Sequence, residues 1–99
     1  MQFAGKLETL NQYDRKAVKN WVEEFLEKQG RLVESGELNL RLEQREMKFR
    51  GIPLFSCKAN FFTDKGNFVA SGEEYGIRQC VNIALNKVRR QLLRRKEKV

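Results

Sequence analysis

Histidine is absent from this chain, which removes the commonest general base and the commonest metal ligand together. The two cysteines, Cys57 and Cys80, match no metal-binding or redox spacing. They read as buried free thiols of a reducing cytosol. A catalytic thiol would need an activating base, and only Lys58 beside Cys57 offers one, so no catalytic residue, cofactor or metal is assigned. No apolar run approaches the roughly 20 residues that a membrane span needs. The first ten residues lack the charged-then-apolar layout of a secretion signal. No internal repeat, low-complexity tract or linker divides the sequence, so residues 1–99 are expected to form one domain around a single modest core.

Acidic residues are scarce in one place only. Residues 1–75 hold twelve Lys and Arg against twelve Asp and Glu, whereas residues 76–99 hold eight basic side chains against Glu97 alone. The net charge of +7 is therefore a property of the last quarter of the chain. There Ile77, Val81, Ala84, Leu85, Val88 and Leu92 recur at steps of three and four. At about 100° per residue they make one apolar stripe of an amphipathic helix. Lys87, Arg90 and Arg94 fall on one flank of that stripe, and Arg78, Arg89 and Lys96 on the other. Cations near a helix C-terminus complement its dipole, which accounts for Arg95, Lys96 and Lys98, but the effect is confined to the last turn. It leaves Arg78, Lys87, Arg89 and Arg90 without a structural purpose. A one-sided positive field raises capture rates for anionic partners, so the cluster is expected to bind a polyanion. Residues 94–99 are expected to fray into a basic tail.

Upstream, Phe3, Gly5, Leu7 and Thr9 share one parity, which permits either a short edge strand over residues 1–12 or an unstructured start. A helix from Asp14, as N-cap, to Gln29 buries Ala17, Val18, Trp21, Val22, Phe25 and Leu26, and Gly30 stands where a left-handed residue ends a helix. Arg15, Lys16 and Lys19 crowd its first turns, where the dipole disfavours cations, and are candidates for a second anion contact. From Leu38 the period changes to two. The alternation slips between Glu43 and Glu46, as a bulge or an overshooting strand would make it do, and Arg45, Lys48 and Arg50 give the following loop a basic character. Residues 54–62 form the next strand. Thr63-Asp64-Lys65-Gly66 is a hairpin turn with Gly66 at positive φ. The return strand runs over residues 67–71, facing the core with either Phe68 and Ala70 or Val69 and Ser71. The expected fold is an α+β, (β)-α-β-β-β-α two-layer domain, a mainly antiparallel sheet with two helices packed on one face. Double-stranded RNA-binding domains share that element order.

Ala70-Ser71-Gly72-Glu73-Glu74, followed by a helix ending Asn86-Lys87-Val88-Arg89-Arg90-Gln91-Leu92-Leu93-Arg94-Arg95-Lys96-Glu97-Lys98, resembles the end of the ribosome hibernation-promoting factors. These are also called ribosome-associated inhibitors or sigma-54 modulation proteins. Lys87, Val88, Arg90, Gln91, Leu92, Arg94, Lys96 and Lys98 match that family's terminal K-L-x-R-Q-L-x-K-x-K-x-K pattern in register. Arg78 stands where the family has an aromatic residue, and Asn82 where it has an aspartate. The resemblance implies a cytoplasmic, non-enzymatic protein similar to the short forms. It implies binding to the small ribosomal subunit and its 16S-type ribosomal RNA, in the channel of messenger and transfer RNA, so that translation stops. The RNA-facing residues would be Arg78, Lys87, Arg89, Arg90, Arg94, Arg95, Lys96 and Lys98, with Arg15, Lys16 and Lys19 as a second contact.

Two other classes compete. A double-stranded RNA-binding domain would place lysines at the start of its last helix and a histidine in its first hairpin, whereas this helix is led in by Glu73 and Glu74 and no histidine exists. A basic amphipathic helix could instead dock on a protein, with Ile83 and Leu93 projecting from the stripe, or lie on an anionic membrane. Membrane binding would need the stripe that the sheet already needs. A homodimer through Ile83 and Leu93 is possible but not indicated.

Overall fold

The computed structural model describes the backbone of residues 2–6, 10–30 and 33–97, and the side chains of residues 10–30 and 33–94. In chain order the elements are β1 (Gln2–Lys6), α1 (Gln12–Gln29), β2 (Gly36–Phe49), β3 (Ile52–Thr63), β4 (Gly66–Tyr75) and α2 (Ile77–Glu97). The strands form one sheet in the order β1-β2-β3-β4, with β1 parallel to β2 and the other neighbours antiparallel. Both helices pack on one face of it, the α+β architecture expected from the sequence.

Strand alternation decides which residues enter the core. Leu38, Leu40 and Leu42 of β2 pair with Phe61, Ala59 and Cys57 of β3, and Ala59 and Phe61 pair in turn with Ala70 and Phe68 of β4. These rows join Val18, Val22 and Leu26 of α1 and Val81, Ala84, Leu85, Val88 and Leu92 of α2 in one buried cluster. Burying each larger side chain contributes roughly 1.5–3 kcal/mol, so the helical stripes hold the two layers together. The choice left open for β4 falls to Phe68 and Ala70, while Val69 lies on the open face.

Several boundaries differ from the sequence expectation. The N-cap of α1 is Asn11 and not Asp14: the Asn11 side chain accepts a hydrogen bond from the Asp14 N–H at 2.8 Å. Asp14 sits three residues inside, where its charge still complements the dipole. Gly30 ends α1 in a right-handed conformation, φ −58°, with its N–H donated to the Glu27 carbonyl. Its glycine freedom is therefore not what stops the helix. The first segment is strand β1, in which Phe3 and Gly5 stand opposite Leu38 and Leu40. Strand β4 continues four residues past Ser71 to Tyr75, and α2 continues as helix to Glu97.

The slip in the alternation of β2 has both causes foreseen for it. The register shifts between Gln44 and Lys48, and β2 and β3 then continue as a pair to Phe49 and Ile52. At the other end of the sheet Gly66 takes φ 126°, as the β3–β4 turn requires. Asp64 in that turn accepts hydrogen bonds from the N–H groups of Glu34 and Ser35, fixing the entry to β2. Those bonds hold its carboxyl below the usual carboxylate range, with Ser35 the larger influence.

Candidate nucleic-acid interface

Helix α2 begins beside the β2–β3 hairpin, where the Gly76 N–H donates to the Pro53 carbonyl. It then runs back along β4. Gly72 allows the helix close: a Cβ there would meet Ile83 Cγ2 at 2.8 Å and the Cys80 carbonyl oxygen at 3.2 Å. With the apolar stripe pressed on the sheet, the basic residues fall on two flanks, as the helical spacing foretold.

The first flank follows the outer edge of β4. Lys87 Nζ donates to the Ser71 carbonyl at 2.7 Å and Gln91 Nε2 to the Val69 carbonyl at 2.8 Å. Four residues of helix rise about 6 Å and two residues of strand about 6.6 Å, so an i, i+4 pair meets two successive edge carbonyls. Unpaired strand edges invite pairing with other chains, and these two side chains cover this one. Arg90 and Arg94 lie exposed on the same flank and have no ion-pair partner among the described residues.

The second flank faces α1 across a groove lined by Trp21, Phe25 and Lys28 of α1 and Arg78, Asn82 and Arg89 of α2. Phe25 is held from below by an edge-on contact with Phe61, ring centroids 6.1 Å apart. Trp21, expected to be core, is half-buried and has the Arg78 guanidinium 5.6 Å above its ring. Arg78 stands in the first turn of α2, where the dipole disfavours a cation by roughly 0.3–1 kcal/mol. Stacking over an indole at an exposed site returns roughly 0.5–1 kcal/mol, so Trp21 offsets the awkward position of Arg78. Glu24 also lines the groove, against the three cations Lys28, Arg78 and Arg89.

Arg78 and Arg89 thus share the groove, while Lys87, Arg90 and Arg94 share the β4 flank. The side chains of Arg95 and Lys96, and Lys98 as a whole, lie outside the described residues. Arg15, Lys16 and Lys19 are all on α1 and exposed, and the Arg15 Nε donates to the Leu10 carbonyl at 2.9 Å. Lys16 and Lys19 fall about 140–160° around the helix from Trp21 at 100° per residue, so they do not join the groove. The α1 cation that does is Lys28, which the sequence reading missed. Its signal was its position seven residues, two helical turns, after Trp21.

Cys57 and Cys80 are both free and buried, and far apart only in sequence. The Cys80 thiol donates to the Phe55 carbonyl at 3.2 Å. A hydrogen bond with Cys80, together with burial, pushes the Cys57 thiol up, away from the reactive thiolate. Among the described residues no group of three or more Cys, Asp and Glu side chains is placed to hold a metal ion, and no helix is long and apolar enough to cross a membrane.

Residues 1–99 match the family model described as the C-terminal domain of the hibernation factor Hib. No curated protein matches the chain.

Proposed function

We propose that this chain, which belongs to the family of the hibernation factor Hib C-terminal domain, docks on the small ribosomal subunit and blocks the channel of messenger and transfer RNA, so that translation is inhibited. Family membership gives it a ribosome-associated, hibernation role; the subunit and the blockade are the reading proposed here. The observation that carries it is the pair of basic flanks left free when the α2 stripe is buried. Arg90 and Arg94 on one side and Arg78, Arg89 and Lys28 on the other have no ion-pair partner among the described residues, Arg78 being stacked over Trp21. Lys and Arg that neutralise phosphates release counterions, and the resulting affinity is steep in salt. A rigid helix with cations on both sides fits a folded RNA surface recognised by shape and backbone. Arg95, Lys96 and Lys98 would extend the positive end of the same helix, and Lys16 and Lys19 would meet RNA only if it wrapped onto the outer side of α1.

Cosedimentation with purified small subunits, large subunits and assembled ribosomes tests the reading. Binding to small subunits that weakens steeply with salt, together with inhibited translation in a cell-free system, is the expected result. A protein that stays at the top of the gradient at low salt, or binds a naked RNA duplex of about 16 base pairs as tightly as the subunit, defeats it.

A further inference from the structure

Among the described residues the sheet has no outer strands beyond Arg41 of β2 and Leu54 of β3, the last partners of β1 and β4. What continues is a two-stranded ribbon ending in Arg50-Gly51. Such ribbons are marginal in water on their own, yet this one carries Met47, Phe49 and Ile52 at 62%, 56% and 49% exposure. It is braced at its base. Phe49 and Ile52 pair, Leu54 and Tyr75 pair, and strand alternation puts all four on the open face, away from the helices. The Phe49 and Tyr75 rings lie 5.7 Å apart. Braced apolar surface at the end of a 45 Å molecule is positioned to be covered by a partner.

The charges say which kind. Arg41 and Arg45 both bridge to Glu43, and Arg45 also donates to Ser56 Oγ, so they are engaged. Lys48 and Arg50 have no carboxylate partner among the described residues, and the Arg50 guanidinium lies 5.4 Å over the Phe49 ring. Arg50 and Gly51 both take positive φ, 52° and 80°, the signature of a type I′ turn that Asn-Gly fills best. Arginine is strained in that left-handed conformation, where its Cβ crowds the following carbonyl. A local rule broken at an exposed tip, in favour of a guanidinium stacked on an aromatic ring, marks a binding role. Residues 45–53 carry Arg45, Lys48 and Arg50 against the one carboxylate Glu46, and alternation turns Lys48, opposite Pro53, to the face behind Phe49 and Ile52, so the tip is positive on both of its faces, as a polyanion partner requires. Aromatic and arginine planes beside unpaired cations suit unstacked nucleotides.

We propose that this hairpin tip, residues 45–53, is a second RNA-binding element: Lys48 and Arg50 take backbone phosphates, and the Met47, Phe49 and Ile52 surface takes exposed bases of a ribosomal RNA loop. The inference rests on the ribosomal reading above. It adds a contact on the open face of the sheet, at the opposite end from Arg90 and Arg94, since Gln91 reaches Val69 near the start of β4.

Arg50→Asn separates turn from ligand, because asparagine suits the turn better than arginine while removing the cation. In ribosome cosedimentation with the full chain, Arg50→Asn is expected to keep or raise thermal stability, weaken binding about tenfold, and lower the salt slope by about one. Phe49→Ala is expected to weaken binding at least 5-fold. A benzophenone side chain in place of Met47 is expected to crosslink to ribosomal RNA. Unchanged binding by Arg50→Asn, or a crosslink to a ribosomal protein or to nothing while the protein still cosediments, overturns the tip assignment alone. Loss of all cosedimentation by the unaltered chain removes the ribosomal reading and this inference with it.

Discussion

Lys87 donates to the Ser71 carbonyl on the free edge of β4 at 2.7 Å, so the first lysine of the family-like terminal pattern holds the fold's edge while remaining exposed to a partner. Lys87→Gln retains a donor and removes the charge, whereas Lys87→Glu sets a carboxylate against a carbonyl. The glutamate variant is expected to melt below the glutamine variant, and both to bind ribosomes less tightly, by calorimetry and cosedimentation. Gln91→Ala, losing the neighbouring bond, is expected to lower stability by about 0.5–1.5 kcal/mol in urea unfolding.

Among the described residues Arg90 and Arg94 have no acidic partner, and their replacement tests binding without that complication. Arg90→Gln with Arg94→Gln is expected to leave the melting midpoint within about 4 °C, since surface changes of this kind stay within roughly 0.5 kcal/mol. The slope of log affinity against log salt is expected to fall by about two. An unfolded double variant would make the row structural.

The Arg78 and Trp21 pair predicts a measurable coupling. Arg78→Ala, Trp21→Phe and the double variant, compared in a thermodynamic cycle, are expected to give an interaction of about 0.5–1 kcal/mol. A coupling near zero would mean that the groove is open by accident of packing.

Gly72 lets α2 lie on β4 more closely than a Cβ would allow. Gly72→Ala is expected to destabilise by about 1–3 kcal/mol through overpacking against Ile83 and the Cys80 carbonyl, read as a lower urea midpoint. The neighbouring Ser71→Ala, on the exposed side, is expected to have little effect.

The hydrogen bond shared by the two buried thiols raises Cys57 and lowers Cys80, and the raised Cys57 contributes a pH dependence of its own. Its unfolded-state pKa lies near 8.5 and its folded-state value above that, so above pH 8.5 the unfolded chain has released a proton that the native one keeps. Stability contributed by the neutral thiol is present in full below that pH and declines as pH rises past it. Because the lowered Cys80 acts in the opposite direction, the decline is expected in a Cys80→Ala background, where burial still raises Cys57, in urea unfolding from pH 7 to 10, and Cys57→Ala added to it is expected to flatten it. Alkylation of the native protein at pH 8 is expected to be slow.

The helices and the β3–β4 turn were legible because their signals are local: the stripe from Ile77 to Leu92, the capping residues near α1, and Gly66 at a position that needs positive φ. The two basic flanks of α2 followed from the same arithmetic. Strand β1 was legible only as one of two options for residues 1–12, because parallel pairing with β2 through α1 leaves no turn chemistry and Gly5 weakens the pattern. The N-cap shifted from Asp14 to Asn11 because both residues suit the position and only the geometry chooses. The groove escaped because it belongs to two helices at once: Trp21 read as core, and nothing in either segment announced that Arg78 would stand over it. The hairpin tip was seen as a basic loop, but its length and its exposed Met47, Phe49 and Ile52 depended on where β1 and β4 stop.

Because β1 pairs with β2 and with no other strand among the described residues, the first strand of this sheet in chain order has no partner until α1 and Leu38–Leu40 have followed it. The β2–β3–β4 meander and α2 can consolidate through contacts close in sequence, and the N-terminal strand is then added to a finished template. Its amide protons are expected to exchange with solvent ahead of those of β3, and its docking to be the slowest step of folding.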